Sequence, residues 1–462
     1  MKIRTALLLL AALVSSPALL LAQGAPVVRS DVTVEGADAP HVRDLRPVPG
    51  GGFVAAGYRD LPDAGGSRMY LARLDTAGDV VWEKTLESDE PRWAQSVAVL
   101  PAGGFVLAGS HVVRTDAGGE VLGERPFPGQ ANSVQATRDG GIIVAGTVTQ
   151  QIYLLRLDPA GEEAWDLLFD RHGPGPTEGD QGDHVIELAG GGFAVAGAVW
   201  PGADLEAGYR AVLAGVTPEG GAATESFFRA GDLGHETAAS FVLETAGGGF
   251  LVAGIVWPFT LENTADAWLV KTDAGGGAEW ARSYDRSRHD RLVQVLEAPG
   301  GGFLLVGKSA PGGGFLLRTD GAGNGVWEWS FADFSPARAE RSEEGGYLVV
   351  GDVREGFEFV GARRLRLAPE EPTIFRRADA NDDGKLDIAD GLRILNFLFL
   401  GAAEPSCFDA FDANDSGALD ISDGVMTFLH LFVGGSAPGA PFPACGFDPT
   451  GDRFDCAAYA RC

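Results

Sequence analysis

The chain has 462 residues, 64 of them Asp or Glu against 36 Lys or Arg, which leaves a net charge of −28; it also carries 67 glycines and four cysteines. So negative a balance argues strongly against nucleic acid and anionic membrane surfaces as partners, because both require a cationic patch. It suits an exported protein with cation sites.

Met1–Ala22 reads as a secretory signal: Lys2 and Arg4 precede the apolar stretch Ala6–Val14, and small residues surround Ala22, where cleavage is expected. Ser15-Ser16-Pro17 breaks the apolar run, which argues against a permanent anchor. Loss of Lys2 and Arg4 would take the net charge to −30. No other segment is expected to span a bilayer.

From residue 23 to 370 one motif recurs: Gly-Gly, an aromatic residue or Ile, two apolar residues, Ala or Val, and Gly. The seven copies begin at Gly52-Phe53, Gly104-Phe105, Gly141-Ile142, Gly192-Phe193, Gly249-Phe250, Gly302-Phe303 and Gly346-Tyr347, with a mean period of 49 residues. Eight positions before each aromatic or Ile, Leu45, Val97, Val134, Val185, Val242, Val295 or Ala339 marks a preceding strand. A third strand ends in an Asp-x-x-Gly turn, and a fourth is expected to start seven residues past that Asp, at Trp82, Trp165, Trp280 and Trp327 in four copies. Four short strands every ~40–50 residues with Gly-rich turns mark a β-propeller blade. Seven blades, each covering its neighbour, close into a ring. Val27–Val34 has the pattern of a fourth strand and is a candidate to complete blade seven. The repeat is similar to that of secreted bacterial propellers of the Gly-Gly-Tyr … Leu-Asp-x-x-Gly-x-x-x-Trp type, a structural family without a common catalytic activity.

The turns joining strands one to two and three to four are short, whereas strand two-to-three and blade-to-blade connections vary in length. Both variable types emerge on one side, the default place for binding. Trp93, Trp200, Trp257, Phe259 and Tyr209 fall there. Aromatic platforms of this kind suit sugar rings; the plainer reading is that Trp200 and Trp257 cap the blades they follow.

Catalytic motifs are sparse. His235-Glu236 starts like a zinc-protease helix, but Ala239 stands where the second His belongs, and Arg171-His172-Gly173 lacks the context of a phosphatase loop. Ten residues before each motif aromatic or Ile stand Arg43, Gln95, Asn132, Asp183, Ser240, Val293 and Ala337, with Asp44 one position further on. Asp183 and Asp44, in blades four and one, are expected across the channel from one another, beyond the ~5–10 Å of a glycosidase pair. The polar set reads as a hydrated funnel mouth.

Near the C-terminus two twelve-residue acidic loops, Asp379–Asp390 and Asp412–Asp423, agree position by position at an offset of 33 residues. Ca²⁺ takes six to eight oxygens, supplied in such a loop by positions 1, 3, 5, 7, 9 and 12. These are Asp379, Asn381, Asp383, the carbonyl of Lys385, Asp387 and Asp390 in the first loop. In the second they are Asp412, Asn414, Ser416, the carbonyl of Ala418, Asp420 and Asp423. Gly384 and Gly417 fall at position 6, where the chain must turn sharply. A helix is expected after each loop: Leu392, Leu395 and Phe399 match Val425, Phe428 and Phe432 at the same offset, and Gly401 and Gly434 stop the helices. The segments before the loops are too short for an incoming helix.

Loop plus exiting helix, twice in tandem, resembles the dockerin type I module. The resemblance implies two Ca²⁺ ions and attachment to a cohesin-like or other extracellular protein, often in assemblies that degrade polysaccharide. It departs from the family at loop positions 10 and 11, which are Ile388-Ala389 and Ile421-Ser422 rather than Ser/Thr pairs, and Arg393 is the one Lys or Arg on the expected helices. Cys407, Cys445, Cys456 and Cys462 all lie in the tail region. In an exported chain they suggest disulfides, with three pairings open.

The fold expected is mainly β: signal peptide 1–22, seven-bladed propeller 23–372, a small helical calcium-binding module 373–435 and a Cys-containing tail 436–462. The function expected is a secreted, non-catalytic binding protein whose propeller loop face, a candidate for glycan binding, is attached by the calcium module to a partner. The alternative is a polysaccharide-active enzyme targeted by that module.

Overall fold

The computed structural model describes residues 26–462 except 27, 37, 62–64, 170–178, 201–207, 230–235, 258–263, 287–288, 344, 369–373, 404, 447, 449–453, 455 and 457–458. The signal segment, Phe259, His172 and His235 lie outside the described residues.

Seven four-stranded antiparallel sheets follow one another along the chain. Blade one is His41–Pro47, Phe53–Leu61, Gly66–Leu74 and Val80–Thr85, paired in that order. The inner strands of blades two to six are Ala94–Val99, Gln130–Ala136, Gln181–Glu187, Glu236–Glu244 and Asp290–Glu297. Blade seven takes Phe334–Arg341, Tyr347–Glu355 and Glu358–Leu367 from the end of the repeat region and its outer strand, Val28–Glu35, from the beginning. Val28 to Glu35 pairs antiparallel with Leu367 to Gly361, so ladder hydrogen bonds tie the two ends of the ring together.

The core lies between blades. Val54, Met69 and Leu71 of blade one pack with Val97, Phe105 and Leu107 of blade two, and Leu348 and Val350 of blade seven pack with Leu45 and Phe53 of blade one. The outer strands begin two residues earlier than the sequence pattern suggests. Trp82, Trp165, Trp280 and Trp327 are each the third residue of their strand, opposite Arg73, Arg156, Lys271 and Arg318. Their rings serve the next blade. Gly119, Gly220 and Gly323, at φ of 79°, 87° and 81°, present bare Cα faces to Trp82, Trp165 and Trp280; a Cβ there would meet the ring within 2.9 Å.

Two longer helices and a single turn form the C-terminal module: α1 (Ile388–Leu400), α2 (Phe408–Phe411) and α3 (Ile421–Val433). Asp387 and Asp420 cap α1 and α3 through reciprocal capping boxes with Asp390 and Asp423. Both helices end on a left-handed glycine, Gly401 at φ 66° and Gly434 at φ 70°. They touch at Gly391 and Gly424. A Cβ on Gly391 would stand 2.4 Å from the Phe428 ring, and one on Gly424 2.9 Å from Leu395.

Arg377, fully buried, ties the module together. It donates to the carbonyls of Asp409, Asp412 and Ala440 and to the carboxylates of Asp415 and Asp448. The tail returns onto the first loop, where the backbone N–H groups of Ala460 and Arg461 donate to Asp382 and the Tyr459 hydroxyl donates to Asp379. Cys407 pairs with Cys456 and Cys445 with Cys462.

Candidate functional site

The seven positions read as a funnel mouth share one backbone feature. In every blade the register between the first two strands slips at that residue, between Val42 and Asp44, Ala94 and Ser96, Ala131 and Ser133, Gly182 and His184, Ala239 and Phe241, Leu292 and Gln294, and Pro336 and Arg338. Arg43, Gln95, Asn132, Asp183, Ser240, Val293 and Ala337 are therefore the extra residues of seven β-bulges, which re-aim a side chain out of the ladder. The last glycine of the motif permits the slip: a Cβ on Gly57 would stand 1.8 Å from the His41 carbonyl oxygen, and one on Gly197 1.9 Å from that of Gln181.

The residue after each bulge turns the other way, into the protein. Asp44, Ser96, Ser133, His184, Phe241, Gln294 and Arg338 are all buried. Most of them bridge blades. Asp44 accepts from the Val97 N–H at 2.9 Å, Ser96 from that of Val134, Ser133 from that of Val185, His184 from that of Val242, and Gln294 from that of Ala339. At blade five, where Phe241 cannot accept, His184 stacks on its ring at 4.1 Å and the Arg338 guanidinium lies over it at 5.3 Å. Arg338 Nε then donates to Asp44 at 2.9 Å and closes the circuit.

This corrects the placement of Asp44 at the channel mouth. Its carboxylate holds Ser96, Val97 and Arg338, and although burial alone would raise its pKa, Arg46 and Arg338 beside it keep it below the usual range. It therefore does not serve as the catalytic partner of Asp183. Asp183 itself is half-buried, and burial pushes its carboxyl up to about 6 against the pull of Arg291. A further acid escaped the sequence reading. Asp352 sits one residue past the motif glycine of blade seven and holds Arg43 at 2.9 Å and Arg354 at 3.0 Å. The residues at that position, Tyr58, Ser110, Thr147, Ala198, Ile255, Lys308 and Asp352, become charged only in blades six and seven, which is the signal that could have found it.

Trp93, Trp200 and Trp257 are all half-buried. Trp93 holds the register position before its bulge that Arg291 and Ser335 hold in blades six and seven. Trp200 meets Tyr209 edge-on at 5.0 Å, and its backbone N–H donates to the Asp180 carboxylate. Trp257 ends a second strand, opposite Glu236.

In the two acidic loops, Asp379, Asp390, Asp412 and Asp423 are fully buried, and Gly384 and Gly417 adopt φ of 83° and 69°. Asp379 accepts from the N–H groups of Asp383 and Gly384, as Asp412 does from those of Ser416 and Gly417. Burial, with Asp379 and Asp383 nearby, pushes the Asp390 carboxyl up to about 6; burial and Asp412 do the same to Asp423. Loops that crowd buried carboxylates and leave the Asn414 Oδ1 buried without a hydrogen-bond partner fit a cation. Other donors are engaged within the loops, since Ser416 Oγ donates to the Ala418 carbonyl. Among the described residues no three His, Cys, Asp or Glu side chains are drawn together as a cage.

The faces that α1 and α3 turn away from each other are apolar and exposed. Ile388, Leu392, Phe399 and Leu400 repeat, at the offset of 33, as Ile421, Val425, Phe432 and Val433, each between 42% and 77% exposed. Exposed apolar side chains in so dense a cluster mark an interaction surface.

No family model matches the chain, and no curated protein does. Among the described residues no helix is long and apolar enough to cross a membrane. Among solved structures the chain is similar to BamB from Moraxella catarrhalis at 10% identity, covering 74% of this chain and 99% of that one with a TM-score of 0.45. The Dos1 propeller is 10% identical over 71% of this chain and 78% of its own, TM-score 0.45. A protein of unknown function from Bacteroides caccae is 16% identical over 56% and 89%, TM-score 0.38. The seven-bladed propeller assignment rests on the strand pairing of this chain itself.

Proposed function

We propose that the protein is an exported, non-enzymatic interaction protein: the propeller presents a recognition face, and a calcium-loaded, dockerin-like module attaches it to a partner. The observation that carries this reading is the duplicated, exposed apolar face of α1 and α3, two helices whose N-termini are capped by Asp387 and Asp420 of the acidic loops. Asp379, Asn381, Asp383, Lys385, Asp387 and Asp390 would hold one Ca²⁺, and Asp412, Asn414, Ser416, Ala418, Asp420 and Asp423 the other. Calcium would neutralise the crowded carboxylates and fix both helix starts. The partner would then be a protein offering an apolar plateau, of cohesin type or similar, in an extracellular setting such as a polysaccharide-degrading assembly.

Calorimetric titration of the purified chain with Ca²⁺ tests this. Two ions should bind, and Asp379→Ala with Asp412→Ala should abolish both. Chelation should lower the melting temperature of the module strongly and hardly move that of the propeller, because metal binding stabilises only the unit that binds it. Absence of calcium uptake, or two unchanged transitions after EDTA, would overturn the reading.

A further inference from the structure

One region of this acidic protein is cationic. A cavity of about 500 Å³ opens at the channel mouth, lined by Arg43 of blade one, Arg291 and Lys308 of blade six and Arg354 of blade seven. Arg291 and Lys308 are directly opposite one another on neighbouring strands. Like charges so placed repel and weaken a sheet. Neither side chain makes a hydrogen bond or an ion pair among the described residues; the charge nearest in effect to Arg291 is Asp183. Asp352 is already shared by Arg43, Arg354 and His41 and is only 2% exposed. Burial, then Arg291 and Arg43 beside it, draw the Lys308 ammonium down to about 7. Three guanidinium groups and the Lys308 amine thus face two carboxylates, in a chain whose net charge is −28. General surface electrostatics does not account for such a cluster, which a bound anion would relieve.

The rim adds a second chemistry. Phe357, in the tight turn between the second and third strands of blade seven, lines the same cavity and is 80% exposed. Its ring offers a flat apolar face beside the guanidinium groups, whose forks match planar oxoanions. The volume lies in the range of small-ligand sites.

We propose that this cavity binds an acidic oligosaccharide, with carboxylate or sulfate groups held by Arg291, Lys308, Arg43 and Arg354 and one sugar ring stacked on Phe357. The inference deepens the recognition role proposed for the propeller and rests on it. Arg43 and Arg354 are preorganised by Asp352, whereas Arg291 supplies unneutralised charge and Lys308 joins it once an anion beside it favours the ammonium form. Cations within a water-filled mouth also attract a polyanion over the Debye length despite the negative surface outside.

The test is calorimetric binding of the whole chain, in calcium, to an oligogalacturonate, a heparin-derived oligosaccharide, a neutral cello-oligosaccharide of equal length and inorganic sulfate. One or both acidic sugars should bind, the neutral sugar at least tenfold more weakly, and affinity should fall with added salt. Lys308→Gln with Arg291→Gln should reduce affinity tenfold or more while leaving the melting temperature of the ligand-free protein unchanged or higher, since a repulsion is removed. Phe357→Ala should weaken sugar binding and leave sulfate binding alone. Equal binding of acidic and neutral sugars, no binding of any, sulfate binding as tight as that of either acidic sugar, or a lowered melting temperature in the double variant would each overturn the proposal. Asp379→Ala with Asp412→Ala should leave acidic-sugar affinity unaltered, so failure of the calcium reading and failure of this one are told apart.

Discussion

At the scale of single residues, position relative to the bulge decides what a side chain does. Arg43 and Asp44 are adjacent, yet one lines the cavity at the mouth and the other is wholly buried between blades. The same alternation separates Asp183 from His184, whose imidazole is held well below its ordinary pKa by burial and by Arg338 and Arg46. Glu340 stands beside this circuit, near Arg46, Asp44 and Arg338. Burial pushes the partly buried Glu340 carboxyl up to about 7, from an ordinary 4.5, against the pull of Arg46 and Arg338. A carboxyl whose pKa is raised in the folded state stabilises below its unfolded pKa and loses that contribution as pH rises through the folded value. Stability should therefore fall between pH 4.5 and 7 on account of this group. Glu340→Gln should flatten that fall and be the more stable protein at pH 8, by on the order of 1–3 kcal/mol. Urea unfolding of both proteins at pH 4.5 and 8 measures it; identical pH dependence would remove Glu340 from the account.

At the scale of elements, repeated glycines set how closely parts approach. Gly391 and Gly424 let α1 and α3 meet nearly backbone to backbone, which turns Leu392, Phe399, Val425 and Phe432 outward. The 3.6-residue periodicity of these segments shows one apolar face for each helix but not whether that face is inside. Most apolar helix faces are buried; here the helices are too few to cover one another, and part of each face stays in solvent. Gly391→Ala should cost about 1–3 kcal/mol through the clash with the Phe428 ring. Calorimetry should show the module transition shifting to lower temperature while the propeller transition stays. An unchanged module transition would mean that the helices have room to part.

At the scale of the whole molecule, the ring is closed by the strand farthest away in sequence. Val28–Glu35 completes blade seven, and Arg363 pairs with Asp31 across the join. Deleting residues 28–35 should lower the propeller melting temperature markedly and expose the edge of Glu358–Leu367, a template for pairing with other chains. Scanning calorimetry and light scattering would show both effects; a monomeric ring of unaltered stability would mean that three strands suffice in blade seven. The number of blades, the seven funnel-mouth positions and the twelve-residue loops were legible in the sequence, because each depends on short-range periodicity and on recurring glycines; that those seven positions are β-bulges was not, since a bulge is defined by the partner strand. Only the tertiary structure decided which neighbours those positions meet. The capture of Asp44 by Arg338 nearly three hundred residues away and the gathering of Arg43, Arg291, Lys308 and Arg354 from three blades into one mouth follow from ring closure, whereas the pairing of Cys407 with Cys456 and of Cys445 with Cys462 follows from the return of the tail onto the C-terminal module. Ring closure juxtaposes residues whose separation along the chain carries no local signal.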